Sequence, residues 1–237
     1  TEIFNPAREP EIVDLCNFLN RMGAKISGMG TNAIKVIGVK SLKDVSYNIM
    51  PDRIEAGTFL VAAVMTKGNI RINNICIDDL KPILYKLEEC GAELQINKNT
   101  IDIKMNKRPN PLEIKTMPYP GFPTDMQAIF GSMLSLAKGT SVITETIFES
   151  RFKYTGELNR MGAKISQKGN TIIINGKRKL NKARVKATDL RGGIGLVLAG
   201  LSTKGEVIVD NIEYILRGYE NLVKKLVSLG ADIKIID

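Results

Sequence analysis

Apolar residues along this chain fall into three distinct patterns. At Ile12, Leu15, Cys16, Leu19 and Met22, and again at Leu80, Ile83, Leu84 and Leu87, they recur at i, i+3, i+4 and i+7, which predicts helices with one buried stripe. Beyond each such stretch the period drops to two, as at Ile101, Ile103 and Met105 or at Ile172 and Ile174, behind the polar turns Asn97-Lys98-Asn99 and Gln167-Lys168-Gly169-Asn170. That predicts a β-hairpin after each helix. The third pattern has no polar side: Ile54 to Met65, Met126 to Ala137 and Ile194 to Leu201 are apolar nearly all round and rich in Gly, Ala and Ser. Helices of that kind are buried on every face, with small residues allowing close approach.

The patterns repeat. Leu19-Asn20-Arg21-Met22-Gly23-Ala24-Lys25-Ile26 is echoed from Leu87 to Leu94, from Leu158 to Ile165 and from Leu226 to Ile233, with Gly23, Gly91, Gly162 and Gly230 spaced 68, 71 and 68 residues apart. Each glycine is expected to end its helix in a left-handed cap. Upstream lies an extended run, a helix led by Asp and another strand, over Val45 to Ile72, Leu112 to Ile147 and Val185 to Val209. The unit thus reads strand, helix, strand, helix, strand, strand. The expected fold is α/β (α+β), with βαβαββ units wrapped around buried helices. Units of some 70 residues are long for a solenoid and suit closure into a compact domain. Two units are complete, Val45 to Met105 and Leu112 to Ile174. The first 40 residues hold only a unit's second half, and the last unit stops after one hairpin strand. This is expected of a piece of a longer repeat protein.

Composition narrows the chemistry. No residue is histidine, which excludes Ser-His-Asp triads, histidine metal sites and imidazole shuttles. Acid, base or nucleophile must be carboxylate, lysine, tyrosine, thiol or hydroxyl. Cys16, Cys76 and Cys90 match neither a zinc pair nor a disulfide framework and fit a reducing cytosol. Thr1-Glu2-Ile3 opens no signal segment, and apolar runs such as Phe59 to Met65 are too short to span a bilayer, so a soluble cytoplasmic protein with no membrane partner is expected. The net charge of 34 − 25 = +9 is spread along the chain, aromatics are 5% and tryptophan is lacking, which argues against a nucleic-acid partner. There is no P-loop, no dinucleotide fingerprint and no acidic metal cluster, so neither metal nor cofactor is called for.

Asp52, Asp125 and Asp189 stand just before the three buried helices, with Thr124 and Thr188 preceding two of them. Asp is a leading N-cap, and position alone assigns each that role. Asp125 differs in its approach: Met117 to Thr124 packs three prolines and a glycine into eight residues, a rigid loop beyond what a cap needs. Arg8, Arg151 and Arg217 recur at the start of the outer helices, while Arg53 and Arg191 follow aspartates at the start of inner ones. Arginine at a helix N-terminus opposes the dipole unless an anion is held there, so several at equivalent positions point to phosphate or carboxylate ligands rather than to solvated surface charge.

Long motifs then become legible. Met50-Pro51-Asp52-Arg53 running on to Ala63, Pro118-Tyr119-Pro120-Gly121-Phe122-Pro123-Thr124-Asp125-Met126-Gln127, Ile143-Thr144-Glu145-Thr146-Ile147-Phe148-Glu149 and Arg217-Gly218-Tyr219-Glu220 resemble the UDP-N-acetylglucosamine enolpyruvyl transferases. The resemblance runs the whole length and matches the family's C-terminal part. It implies an inside-out α/β barrel of two similar three-repeat domains with the active site between them. Residues 1–43 would end the last repeat of the first domain and 44–237 would form the second, with repeats at about 44–110, 111–180 and 181–237 and the last strand missing. The implied reaction transfers enolpyruvate from phosphoenolpyruvate to the 3′-hydroxyl of UDP-N-acetylglucosamine, the first committed step of peptidoglycan synthesis, with phosphate leaving.

Carried over by position, the resemblance implies that Asp125 meets the sugar hydroxyl, Ile147 contacts the uridine sugar substrate, and Arg191 and Arg217 face phosphoenolpyruvate, with Thr124 a further substrate-binding residue. Asp189, Arg151 and Arg53 complete the expected substrate-binding set. Without histidine, a carboxylate is the available proton acceptor, and burial is expected to raise its pKa. The family's catalytic cysteine and phosphoenolpyruvate-binding lysine would lie in a missing N-terminal half, so the isolated chain is expected to be inactive. The three cysteines are expected to be small buried apolar residues. Ser150, Leu216 and Gly192-Gly193-Ile194-Gly195 depart from the family pattern. Three alternatives stay open: a sister enzyme acting on shikimate phosphate, an RNA 3′-phosphate cyclase-like protein, and a non-catalytic ligand-binding fragment. The cyclase would need a nucleotidylated histidine.

Overall fold

The computed structural model describes residues 1–236. Its first elements are β1 (Glu2–Phe4), α1 (Pro10–Arg21), β2 (Lys25–Ser27) and β3 (Ala33–Ile37), with the antiparallel order β1-β3-β2. After helix α2 (Arg53–Thr66) the same succession returns as β4 (Asn69–Asn73), α3 (Ile77–Glu89), β5 (Glu93–Asn97) and β6 (Thr100–Lys104), in the order β4-β6-β5. The next unit gains a leading strand, β7 (Glu113–Lys115). A 3-10 turn (Thr124–Met126) then runs into α4 (Gln127–Leu134), β8 (Thr140–Thr144), α5 (Tyr154–Arg160), β9 (Ile165–Lys168) and β10 (Thr171–Asn175). Here β7 lies parallel to β8 in the order β7-β8-β10-β9. The last unit holds β11 (Arg184–Lys186), α6 (Leu190–Leu201), β12 (Ile208–Asp210), α7 (Glu213–Leu216) and α8 (Leu222–Ser228), with β11 parallel to β12.

The helices that look apolar all round are the centre of the molecule. Nearly every residue of α2 and every residue of α4 is buried, as is most of α6, and the three helices pack on one another. Their approach needs glycine: a Cβ on Gly195 would stand 2.6 Å from Ser132 Oγ and 3.1 Å from the Ala128 carbonyl oxygen. Gly192 and Gly193 are hemmed in the same way, by Tyr154 and by Ala187 with Ile215. This explains the Gly192 to Gly195 run. The outer helices bury one stripe, such as Leu80, Ile83, Leu84 and Leu87 of α3. The fold is mixed α/β with helices inside and sheets outside. Among the described residues the four sheets share no strand pairing, so no closed barrel forms.

Gly23, Gly91, Gly162 and Gly230 all adopt positive φ, between 86° and 104°, and cap their helices as expected. The hairpins after α3 and α5 close on two-residue turns, Asn97 pairing with Thr100 and Lys168 with Thr171, while β2 and β3 are joined by a longer loop. Three expectations are corrected. The run from Val45 forms no strand, because Tyr47 draws it onto α1: its hydroxyl donates to Asp14 Oδ1 at 2.8 Å, and its ring lies 5.2 Å from that of Phe18. Residues 232–236 form no strand either, since no neighbouring strand bonds to them. The outer helix of the last unit is broken into α7 and α8, with Asn221 in the left-handed region between them, so Arg217 ends a helix instead of starting one.

Candidate active site

The three aspartates part company in the structure. Asp52 Oδ1 accepts from the amides of Ile54 and Glu55, and Asp189 Oδ1 accepts from those of Arg191 and Gly192, so both are N-caps. Asp125 caps nothing. The preceding loop folds back on itself, Met117 N–H donating to the Phe122 carbonyl at 3.0 Å, and a Cβ on Gly121 would lie 2.4 Å from Met117 Cβ. It delivers Asp125 into the 3-10 turn ahead of α4 with both carboxylate oxygens turned to arginines. Arg151 Nη2 donates to Oδ1 at 2.5 Å and Arg191 Nη2 to Oδ2 at 3.0 Å.

Each arginine is held from behind. Arg151 Nη1 donates to Thr124 Oγ1 at 2.7 Å, and its guanidinium stacks 4.7 Å from the Phe148 ring centre. Arg191 Nη1 donates to the Tyr219 hydroxyl at 3.2 Å. Because Thr58 Oγ1 gives its own proton to the Ile54 carbonyl, Tyr219 must donate to Thr58, 2.8 Å away. The chain of donors therefore runs from Arg191 through Tyr219 and Thr58 into α2. Gly218 packs closely on Leu190, since a Cβ there would lie 2.7 Å from Leu190 Cδ2.

These groups border an open cleft of about 460 Å³ lined by Asp125, Phe148, Glu149, Ser150, Arg151, Lys153, Thr188, Asp189, Leu190, Arg191 and Arg217. Four cations meet three carboxylates there, and among the described residues Arg217 is exposed and makes no ion pair. Burial pushes the Asp125 carboxyl up, but Arg191 and Arg151 outweigh it and hold it below the usual carboxylate range. This corrects the expectation of a raised pKa. Burial works against the charge on Arg191, yet Tyr219 and Asp125 more than offset it. Burial pushes the Tyr219 hydroxyl up, with Arg191 opposing in part.

Of the expected site residues, Asp125, Thr124, Arg151, Asp189, Arg191 and Arg217 come together. Ile147 sits beside the cleft, half exposed, next to Phe148. Arg53 does not join them: its guanidinium, 9% exposed, is taken by Glu11, with Nε 2.8 Å from Oε1, and lies over the Tyr119 ring. Arg8 is exposed and donates to Asn32 Oδ1 at 3.4 Å. Cys16 and Cys90 are buried free thiols, whereas Cys76 is exposed at the start of α3, which corrects its expected burial. Tyr219 and Glu145 were not singled out from the sequence. Glu145 carried a signal: it continues the inward register of Ser141 and Ile143 on β8, where a carboxylate is out of place.

Residues 1–226 match the family described as EPSP synthase (3-phosphoshikimate 1-carboxyvinyltransferase). The chain belongs to this family. Within it, the chain is 53% identical over 234 residues to UDP-N-acetylglucosamine 1-carboxyvinyltransferase 2 of Caldanaerobacter subterraneus subsp. tengcongensis, covering 98% of the chain and 56% of that relative. It is 50% identical to UDP-N-acetylglucosamine 1-carboxyvinyltransferase of Geobacter metallireducens, covering 99% of the chain and 56% of that relative. The enolpyruvyl transferase NikO from Streptomyces tendae superposes with a TM-score of 0.87 at 28% identity, over 99% of this chain and 56% of its own. EPSP synthase from Acinetobacter baumannii, at 19% identity, shares the fold with a TM-score of 0.76 over all of this chain and 58% of its own. The chain thus spans about half the length of the EPSP synthase family relatives it matches. Among the described residues no helix is long and apolar enough to cross a membrane.

Proposed function

We propose that this chain forms the C-terminal part of an enolpyruvyl transferase that moves the carboxyvinyl group of phosphoenolpyruvate to the 3′-hydroxyl of UDP-N-acetylglucosamine, in peptidoglycan synthesis. The observation that carries the reading is a single carboxylate, Asp125, with both oxygens committed to Arg151 and Arg191 and with Arg217, which makes no ion pair among the described residues, beside it. Such a site is primed for a small dianion. Phosphoenolpyruvate offers a carboxylate and a phosphate, which guanidinium groups bind bidentately. As they turn to the ligand, Asp125 loses the charges that hold its pKa down and becomes a better proton acceptor. In net, the sugar oxygen replaces the phosphate oxygen on the carbon that carried it: the C–O bond to phosphate breaks, the hydroxyl proton passes to Asp125 and the product keeps the carbon–carbon double bond. Thr124 and Ile147 are assigned to the sugar nucleotide, and Asp189 holds the N-terminus of α6 where Arg191 projects.

The partner is inferred from exposed apolar surface. Of residues 1–43 only Cys16 and Ile34 are buried, and neither belongs to the main core, while Ile3, Phe4, Leu15, Ile37 and Leu42 are exposed. A surface of that kind calls for a covering partner. We assign it to the N-terminal half of the same enzyme, residues 1–43 closing the last repeat of that half's domain. Leu229, Ile235 and Ile236 expose a second apolar strip, where a strand from the same half would complete the last unit. The three free thiols fit a reducing compartment, and we place the enzyme in the cytoplasm with neither nucleic acid nor membrane as partner.

The test mixes the purified chain with the N-terminal half of the Caldanaerobacter relative and follows phosphate release from phosphoenolpyruvate. Turnover with UDP-N-acetylglucosamine, none with 3-phosphoshikimate and none from the chain alone is the expected result. Turnover with shikimate phosphate would reassign the acceptor. Turnover by the isolated chain would overturn the need for the other half.

A further inference from the structure

Beneath the cleft lies a buried carboxylate that the reaction does not use. Glu145 is 1% exposed and makes no ion pair among the described residues, yet four donors surround it. Oε1 accepts from Thr116 Oγ1 at 2.7 Å and from the amides of Ile147 at 2.8 Å and Phe148 at 3.2 Å. Oε2 accepts from Thr124 Oγ1 at 2.8 Å. A threonine hydroxyl has one proton, so by giving it to Glu145 Thr124 can only accept from above. What it accepts is Arg151 Nη1, whose Nη2 holds Asp125. We propose that Glu145 is a positioning residue: through Thr124 it fixes the guanidinium of Arg151 against Asp125, and through two amides it fixes the loop carrying Ile147, Phe148 and Arg151.

The requirement is for a carboxylate and not merely for a polar group. An amide cannot accept at both ends. If glutamine turned its NH₂ toward Thr124, that hydroxyl would receive two donors and its own proton would lose its acceptor. If it turned the NH₂ inward, the Ile147 and Phe148 amides would face another donor. Either way one arm of the network fails. The inference rests on reading the cleft as the enolpyruvyl-transfer site only for its kinetic consequence. The link from Glu145 to Asp125 stands without any substrate.

The experiment follows the titration of the Asp125 carboxyl by ¹³C NMR in the full 237-residue chain, for Glu145→Gln and for Ser141→Ala, an equally buried change on the strand that leads into Glu145. Glu145→Gln should move the Asp125 midpoint upward, because Arg151 is released, and Ser141→Ala should leave it in place. If Glu145→Gln does not fold, Thr124→Val severs the next link with Glu145 intact and should give the same upward shift, while Thr124→Ser should not. In the two-part enzyme Glu145→Gln should lower kcat by roughly tenfold to a hundredfold through misplacement of the loop. An Asp125 midpoint unmoved in a folded Glu145→Gln or Thr124→Val protein overturns the proposal, as does an unchanged kcat. If the wild-type pair transfers no enolpyruvate, the function assigned to the cleft fails, and the titration still decides the role of Glu145.

Discussion

Arg191 Nη2 donates to Asp125 Oδ2 at 3.0 Å, across 66 positions of sequence, and this contact brings the N-terminal ends of α4 and α6 to one point. Both helix ends present partial positive charge, and Arg151 adds a second guanidinium to the same carboxylate. Asp125 is the local counter-ion of a site otherwise built for anions.

That relationship separates Asp125 from its two counterparts. Asp52→Asn and Asp189→Asn keep an oxygen for the helix amides and should melt within about 0.5 kcal/mol of wild type. Asp125→Asn leaves one guanidinium facing an NH₂ and should melt lower. The folded pKa of Asp125 is depressed, so its contribution is present above the unfolded value of about 3.9 and is lost as pH falls through the folded value. The gap in Tm between wild type and Asp125→Asn should hold constant from neutral pH to about pH 5 and close below about pH 4. A gap that does not begin to narrow as the pH falls below about 4 would show that the arginines do not hold this carboxylate. In the two-part enzyme turnover should fall by roughly a hundredfold or more, since an amide cannot take the sugar proton.

Arg217 presents the opposite case. Exposed and without an ion pair among the described residues, it contributes little to the folded state, and Arg217→Ala should change stability by no more than about 0.5 kcal/mol. If it receives phosphoenolpyruvate, the KM for that substrate should rise steeply in the two-part enzyme while that for UDP-N-acetylglucosamine changes little. Steady-state kinetics with each substrate varied in turn provides the check; equal effects on both would remove Arg217 from the anion site.

Arg53 has a different job from the one its sequence position suggests. Its buried guanidinium binds half-exposed Glu11 and so ties residues 1–37 to the first turn of α2. A double-mutant cycle of Glu11→Gln and Arg53→Met should give a coupling of about 0.5–2 kcal/mol, and either change should speed proteolytic cleavage within 38–51. Zero coupling and unchanged cleavage would leave Arg53 free for ligand after all.

The sequence was most readable where one residue's pattern settles one element. The apolar wrap of Ile54 to Met65 allows only a buried helix, and the repeated glycines allow only helix ends. It was unreadable where tertiary partners decide. Val45 to Ile49 has strand composition, but Tyr47 finds Asp14 and Phe18 and the run leaves the sheet. Arg53 follows Asp52 directly and Arg191 follows Asp189 one residue later, both in the first turn of an inner helix, yet Glu11 claims one and Asp125 the other, partners that no local pattern reveals. The site followed the same rule. Asp125 stood out by its stiff approach, while Tyr219 and Glu145 gained their roles only from partners 28 and 21 residues away, Arg191 and Thr124.

Tyr154 offers a test of the core that is independent of chemistry. Its side chain is fully buried, burial pushes its hydroxyl well above the usual range, and no described residue lies within hydrogen-bonding reach of that oxygen. The hydroxyl instead rests on α4 where Gly131 leaves space, since a Cβ there would stand 2.3 Å from it. Tyr154→Phe removes a buried donor with no protein partner and should be neutral or stabilising by about 1 kcal/mol. Gly131→Ala should cost about 1–3 kcal/mol by overpacking, lowering Tm by several degrees. Combined, the two should cost less than Gly131→Ala alone, because the nearest clashing atom is gone and the next, Tyr154 Cζ, lies at 3.0 Å. Strict additivity in thermal melts would mean that Gly131 serves α4 itself and not the seat of Tyr154.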